Sequence, residues 1–346
     1  MPITHVACME TTLTDRVIEV FSTCPVAGGA DRRAFLQSVM DVARWSEEAG
    51  CKGILIYADN SLIDPWMLCQ IILENTQHLC PLLAIQPVYM HPYSIAKSIT
   101  TLAYLYGRRI CLNMIAGGFT NDLLALNDTT PHDKRYARLV EYTLIIKELL
   151  AGESAVSRDG EFYKVDKLRL TPPLDRDLFP GIFVSGSSDA GLASARAIGA
   201  TAIKYPKPAG EEIAVPNDGI DYGIRVGIIT RETDVEAWRV ARARFPEDRK
   251  GQLTQQLAMK TSDSVWHKQL SGLDEESENN PYWLVPFHNY KTFCPYLVGS
   301  YERIAEEVMR YVEAGYGTFI LDIPPTQAEL SHIGVVFKHS LRQAIA

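Results

Sequence analysis

Eight short apolar runs, separated by longer segments of helical pattern, restrict the fold more than any other feature of the chain. They are RVIEVFS (16–22), KGILIY (52–57), PLLAIQP (81–87), RICLNMIAG (109–117), GIFVSG (181–186), ATAIKY (200–205), YGIRVGIIT (222–230) and GTFILDI (317–323). They are nearly continuous rather than apolar at every second position, the pattern of parallel strands covered on both faces. The segments between them carry helical stripes. In RRAFLQSVMDVARWSEEAG, Phe35, Leu36, Val39, Val42 and Ala43 share one face, and Gly50 supplies the stop. Asp133 is the expected N-cap of DKRYARLVEYTLIIKELLAG, which ends at Gly152; SYERIAEEVMRYVEAG starts behind Ser300 and ends at Gly315. Eight strands, each followed by a helix or a long insert, predict an α/β fold of the (β/α)8 TIM-barrel type. A doubly wound open sheet is the competing arrangement.

Three regions interrupt the rhythm: a polar excursion at 153–180, a Pro/Gly-rich loop at 206–221, and a long insertion at 246–299 that ends in the aromatic stretch PYWLVPFHNYKTFCPYL. The predicted organisation is one domain over 1–346, with the insertion as a lid or substrate wall. A chain of 346 residues, 47% hydrophobic and 22% charged, has enough apolar surface for a large core. A net charge of −8 speaks against nucleic acid or an anionic membrane as partner. No apolar run approaches the roughly 18 residues of a membrane span. The first residues lack a basic stretch followed by an apolar one, so a cytoplasmic location is expected. Seven scattered cysteines without a C-x-x-C pair fit reduced thiols.

In a barrel the site lies at the C-terminal strand ends. The residues there are 21–23, 57–60, 86–89, 113–118, 185–188, 205, 227–230 and 322, rich in small, amide and aromatic side chains. No H-x-H, H-E-x-x-H or grouped Asp/Glu/His suggests a metal, and no G-x-S-x-G elbow suggests a serine nucleophile. Lys204 sits near a strand end, where backbone support or solvation competes with imine chemistry. A barrel without catalytic clusters leaves the hard chemistry to a bound cofactor. The turn VSGSSDAG offers small hydroxyl residues and a helix N-terminus, suited either to an anion or to plain N-capping. Asn113, an amide inside an apolar strand, needs partners and points toward a ligand.

RRICLNMIAGGFTNDL, PHDKRYARLVEYTLIIKELLAGE, DGEFYKVDKLRLTPP and PGIFVSGSSDAG, in that order, resemble a run in the luciferase-like flavin monooxygenases, in particular the two-component alkanesulfonate monooxygenase group. RETDVEAW (231–238) and LVGSYERIAEEVMRYVEAGYGTFIL (297–321) continue it. The resemblance implies an enzyme that receives reduced FMN from a separate flavin reductase and takes O2 as cosubstrate, a flavin C4a-peroxide oxygenating a small organic substrate. It implies a homodimer or higher homo-oligomer. It also implies a flavin phosphate at Gly186, Ser187 and Ser188, assisted by Tyr136, with Asn113 beside the ribityl chain or ring and Gln86 along the isoalloxazine.

The chain departs from the sulfonate pattern. Arg225 is kept, but Gly227 stands where that group has a histidine, Leu62 where it has a pocket cysteine, and Pro324 where it has a tyrosine. Lys291 is the one cation of the 281–299 stretch. A buried sulfonate needs paired cations, so a non-sulfonate substrate such as a biosynthetic intermediate is expected, with an alkanesulfonate as the alternative. Two further alternatives are a deazaflavin-dependent oxidoreductase and a barrel that binds flavin without turnover. The expected substrate-side groups are Arg225 as an anion or carbonyl anchor and His288 as a proton donor or acceptor. Tyr57, Tyr89, Trp283 and Phe287 are expected as pocket walls, or, for the insertion aromatics, as a small core beneath it.

Overall fold

All eight apolar runs form strands of one closed parallel sheet. In a computed structural model, which describes residues 11–13, 16–29, 31–261 and 280–345, a short β1 (Thr11–Leu13) pairs antiparallel with β2 (Arg16–Thr23). The ring runs from β2 through β3 (Gly53–Ile56), β4 (Cys80–Ile85) and β5 (Cys111–Met114). An antiparallel hairpin, β6 (Val156–Asp159) and β7 (Lys164–Leu168), forms the polar excursion before β8 (Ile182–Ser185). The ring continues through β9 (Thr201–Lys204) and β10 (Tyr222–Arg231). β13 (Tyr316–Leu321) pairs in parallel with both β10 and β2 and so closes a (β/α)8 TIM barrel.

Helices cover the outside. After the first three barrel strands come α1 (Arg32–Glu48), α2 (Pro65–Asn75) and α3 (Pro92–Tyr106). After the next come the short α4 (Thr120–Ala125) and α5 (His132–Ala151), then α6 (Asp189–Ile198). Asp31 caps α1 by accepting from the Arg33 and Ala34 amides, and the buried face is Phe35, Val39, Val42 and Ala43, with Leu36 left exposed. α5 begins two residues earlier than the sequence suggests. Pro131 occupies the cap position, so Asp133 falls in the first turn, where its charge suits the helix dipole.

β10 departs from the simple pattern. Tyr222 to Val226 pair with β13, whereas Gly227 to Arg231 pair with β12 (Tyr296–Ser300), itself joined by β11 (Tyr282–Trp283). Among the described residues, which leave out 262–279, the insertion therefore contributes two strands to a side sheet. It also contributes α8 (Arg249–Thr261), which follows α7 (Asp234–Arg244), and the one-turn α9 (Val285–His288). α10 (Tyr301–Glu313) and α11 (Gln327–Ile345) flank the last barrel strand. Two sequence expectations change as a result. Residues 227–230 leave the barrel mouth, because a second partner strand carries them outward. Residues 21–23 are consumed internally: Phe21 packs inside the barrel, Ser22 bonds Ser46 at 2.6 Å, and Thr23 Oγ1 donates to Leu321 O at 2.6 Å. Among the described residues no helix is long and apolar enough to cross a membrane.

Candidate active site

Successive side chains of a strand point to opposite faces, so each barrel strand sends every second residue toward the axis. Leu55, Leu82, Cys111, Phe183, Ile203 and Ile320 pack with Phe21 inside the barrel. Two residues further on, the same strands or their ends present Tyr57, Ala84, Asn113, Ser185, Tyr205 and Asp322. These line a cavity of ≈ 990 Å³. Gln86 follows Ala84 by the same step, and Arg225 enters from β10. The apolar layer is the floor and the polar layer is the site.

At one end of the cavity Gly186, Ser187 and Ser188 lead into α6. Ser188 caps the helix, its Oγ accepting from the Gly191 amide at 3.1 Å. The Ser187 hydroxyl is buried without a hydrogen-bond partner. The two adjacent hydroxyls thus differ: one caps the helix and the other has no partner within the protein. Tyr136 and His132 from α5 line the same end, their rings edge to face at 5.2 Å, and His132 Nδ1 lies 2.8 Å from Asp133 Oδ1. A Cβ on Gly186 would stand 2.5 Å from Tyr136 Oη, so only glycine admits the phenol this close. Burial raises the Tyr136 phenol above its ordinary value despite a hydrogen bond with Ser188, which keeps it a protonated donor. Further along, Ser185 Oγ donates to the buried Asn113 Oδ1 at 2.7 Å, and Gln86 is buried beside them.

Arg225 enters the cavity from β10 and is only 5% exposed. Its guanidinium lies 4.6 Å from the Tyr57 ring centroid, Nη1 is 3.5 Å from Tyr205 Oη, and Nη2 is 3.9 Å from Asp322 Oδ1. Nε and Nη2 are buried without hydrogen-bond partners. Tyr296 Oη donates to Asp322 Oδ2 at 2.8 Å. The cavity is completed by Thr254, Leu257 and Ala258 of α8 and by the segment from Tyr290 to Phe293, whose ring meets Phe119 at 6.4 Å.

The structure therefore brings Tyr57, Gln86, Asn113, Tyr136, Gly186, Ser187, Ser188 and Arg225 to one cavity. The other four sequence-selected residues lie away from its lining. Trp283 packs edge to face on Trp238 and Phe245 at 5.6 and 6.1 Å, and Phe287 is 2% exposed in the core. His288 ends α9 with its ring 5.8 Å from Phe287. The insertion packs these aromatics against one another and against neighbouring rings, which buries them away from the cavity. Tyr89 is exposed and donates to Asn60 Oδ1 at 2.9 Å. Residue 322 is among the strand ends read from the sequence, but no pattern there singles out the roles of Asp322, Tyr296 or His132. Tyr296 comes from a paired strand that no local pattern announces.

A model of the family described as luciferase-like monooxygenase matches residues 18–318. A relative from Niallia circulans, the 4-(gamma-L-glutamylamino)butanoyl-[BtrI acyl-carrier protein] monooxygenase BtrO, is 34% identical over 314 residues, covering 88% of this chain and 92% of its own. The long-chain alkane monooxygenase LadA superposes with a TM-score of 0.73 at 16% identity, covering 94% of this chain and 91% of LadA. The EDTA monooxygenase EmoA of Chelativorans sp. BNC1 gives 0.70 at 13%, covering 95% and 94%. The two structures share the fold. The matched span and the BtrO relationship go further: this chain belongs to the luciferase-like monooxygenases.

Proposed function

We propose that the protein is a two-component monooxygenase that takes reduced FMN from a separate reductase and oxygenates an organic biosynthetic intermediate other than a sulfonate. The observation that carries this is the buried, unpartnered Ser187 hydroxyl at the start of α6, beside a phenol kept protonated by burial. Hydroxyl donors at a helix N-terminus suit a phosphate dianion, and the cavity beyond them has room for the rest of a flavin. Reduced FMN supplies the electrons that activate O2 when bound. The chain's own residues bind, orient and exclude water. Ser187 and Tyr136, with the backbone amides of the turn from Gly186 to Ser188, would hold the phosphate, and Asn113 and Gln86 would flank the remainder. Arg225 and Tyr57 would face the substrate. Phe119, Tyr290 and Phe293 line the cavity, and their aromatic surface would exclude competing water once the site is filled.

The charge arrangement argues against a sulfonate. Arg225 faces Asp322, and Lys291 Nζ lies 2.7 Å from Asp248 Oδ2, so both cations are offset. A permanent anion buried without its own cation is costly. The carrier-bound acyl substrate in the name of BtrO supports a biosynthetic role. Anaerobic titration with reduced FMN, followed by stopped-flow mixing with O2, tests the proposal. Ser187→Asp should weaken reduced FMN binding at least ~10-fold, about 1.4 kcal/mol, and wild-type protein should slow flavin reoxidation relative to buffer. Unchanged affinity in the variant, or reoxidation at the rate of free flavin, would overturn it. A parallel titration with reduced deazaflavin separates the two cofactors.

A further inference from the structure

The orphaned donors of Arg225 identify more than an anchor. A guanidinium carries five N–H groups, and leaving buried donors unmade is expensive, so Nε and Nη2 await an acceptor brought from outside. The charge of that acceptor is constrained by Asp322, whose Oδ1 lies 3.9 Å from Nη2. Asp322 is in turn held by the Tyr296 hydroxyl. Tyr296 can stand there because residue 227 is glycine: a Cβ at that position would lie 2.4 Å from the Tyr296 ring. Asp59 and Asp122 line the same cavity, and a second cation among its described lining residues, Lys291, is paired with Asp248. An anion entering here would meet a guanidinium whose charge is already balanced and carboxylates that repel it. A neutral acceptor would satisfy the two donors without either penalty.

We infer that Arg225, Asp322 and Tyr296 form a subsite for an uncharged carbonyl oxygen of the substrate, an amide, ester or thioester, and that Asp322 and Tyr296 are positioning residues that set this preference over carboxylate or sulfonate. The inference deepens the proposed function and rests on it for the identity of the cavity as a substrate site.

Three ligands of equal chain length serve as probes: octanamide, octanoate and octane-1-sulfonate, with affinities for the full chain measured by ligand-observed NMR. Wild-type protein should bind octanamide about 10-fold or more tightly than octane-1-sulfonate. Asp322→Asn should reverse or erase that ratio by tightening the anions, an effect that a merely structural residue would not produce. Tyr296→Phe, which keeps the ring and releases the carboxylate, should narrow the ratio and supplies the test if the Asp322 variant does not fold. Arg225→Gln should weaken octanamide. Equal or tighter binding of either anion by wild type, or an unchanged ratio in the folded Asp322 and Tyr296 variants, overturns the subsite. Anaerobic reduced FMN titration of the same samples reports on the flavin proposal separately. Loss of flavin binding with the octanamide preference intact would count against the cofactor and not the subsite.

Discussion

Ser187 and Ser188 are chemically identical neighbours with different work. The Ser188 hydroxyl is spent on the Gly191 amide, while the Ser187 hydroxyl is buried without a protein partner. Substitution separates them. Ser188→Ala removes a helix cap and should lower stability by about 1 kcal/mol, read as a fall in the denaturant midpoint. Ser187→Ala removes no bond within the protein, so stability should hold. Its cost should appear in reduced FMN affinity, by about 1.5–3 kcal/mol if the lost bond was to a charged phosphate, measured by anaerobic titration. Nothing in the string GSSDAG distinguishes the two serines. The difference arises from which hydroxyl the chain turns toward the first helical amides.

At the level of elements, β10 joins the barrel to the insertion and ends at a buried ion cluster. Glu329, at the start of α11, accepts from Arg231 at the end of β10 and lies 2.5 Å from Arg244 Nη2 at the end of α7. Although burial alone would raise the carboxyl, the two guanidinium groups hold it below its ordinary value of 4.5. A carboxyl lowered on folding contributes stability that is complete above the unfolded-state value and is lost as pH falls through the lowered folded value. Glu329→Gln strands the buried Arg231 and the partly buried Arg244 and should cost roughly 3–5 kcal/mol near neutrality. The same variant should show a flatter loss of stability below about pH 4.5. Denaturation midpoints across pH 3–7 for both proteins check this; parallel acid profiles would contradict it. The apolar run at 222–230 was readable as a strand. Its change of partner after Val226 was not, because β12 lies about seventy residues further along the chain and pairing is a non-local event.

Across the whole molecule, one layer of the barrel supports the other. Phe183 meets Phe21 edge to face at 5.5 Å beneath the cavity, and Ser185, two residues on, holds Asn113. Phe183→Ala should lower stability by roughly 3–5 kcal/mol through the void it leaves, measured by chemical denaturation. A loss below 1 kcal/mol would mean that the floor collapses to fill the space. The sequence by itself determined the eight strands, their helical connections and the barrel class, because apolar runs and helical stripes are local patterns whose burial has few solutions. It also marked most of the residues that meet in the cavity, since strand ends of a barrel converge. Only the tertiary structure decided that Trp283, Phe287 and His288 turn away from that cavity and that Tyr296 fills the space beside Gly227. It alone left Arg225 with two unmade bonds facing a carboxylate. These outcomes depend on side chains from distant segments competing for the same volume, and interior packing leaves room for only one of them.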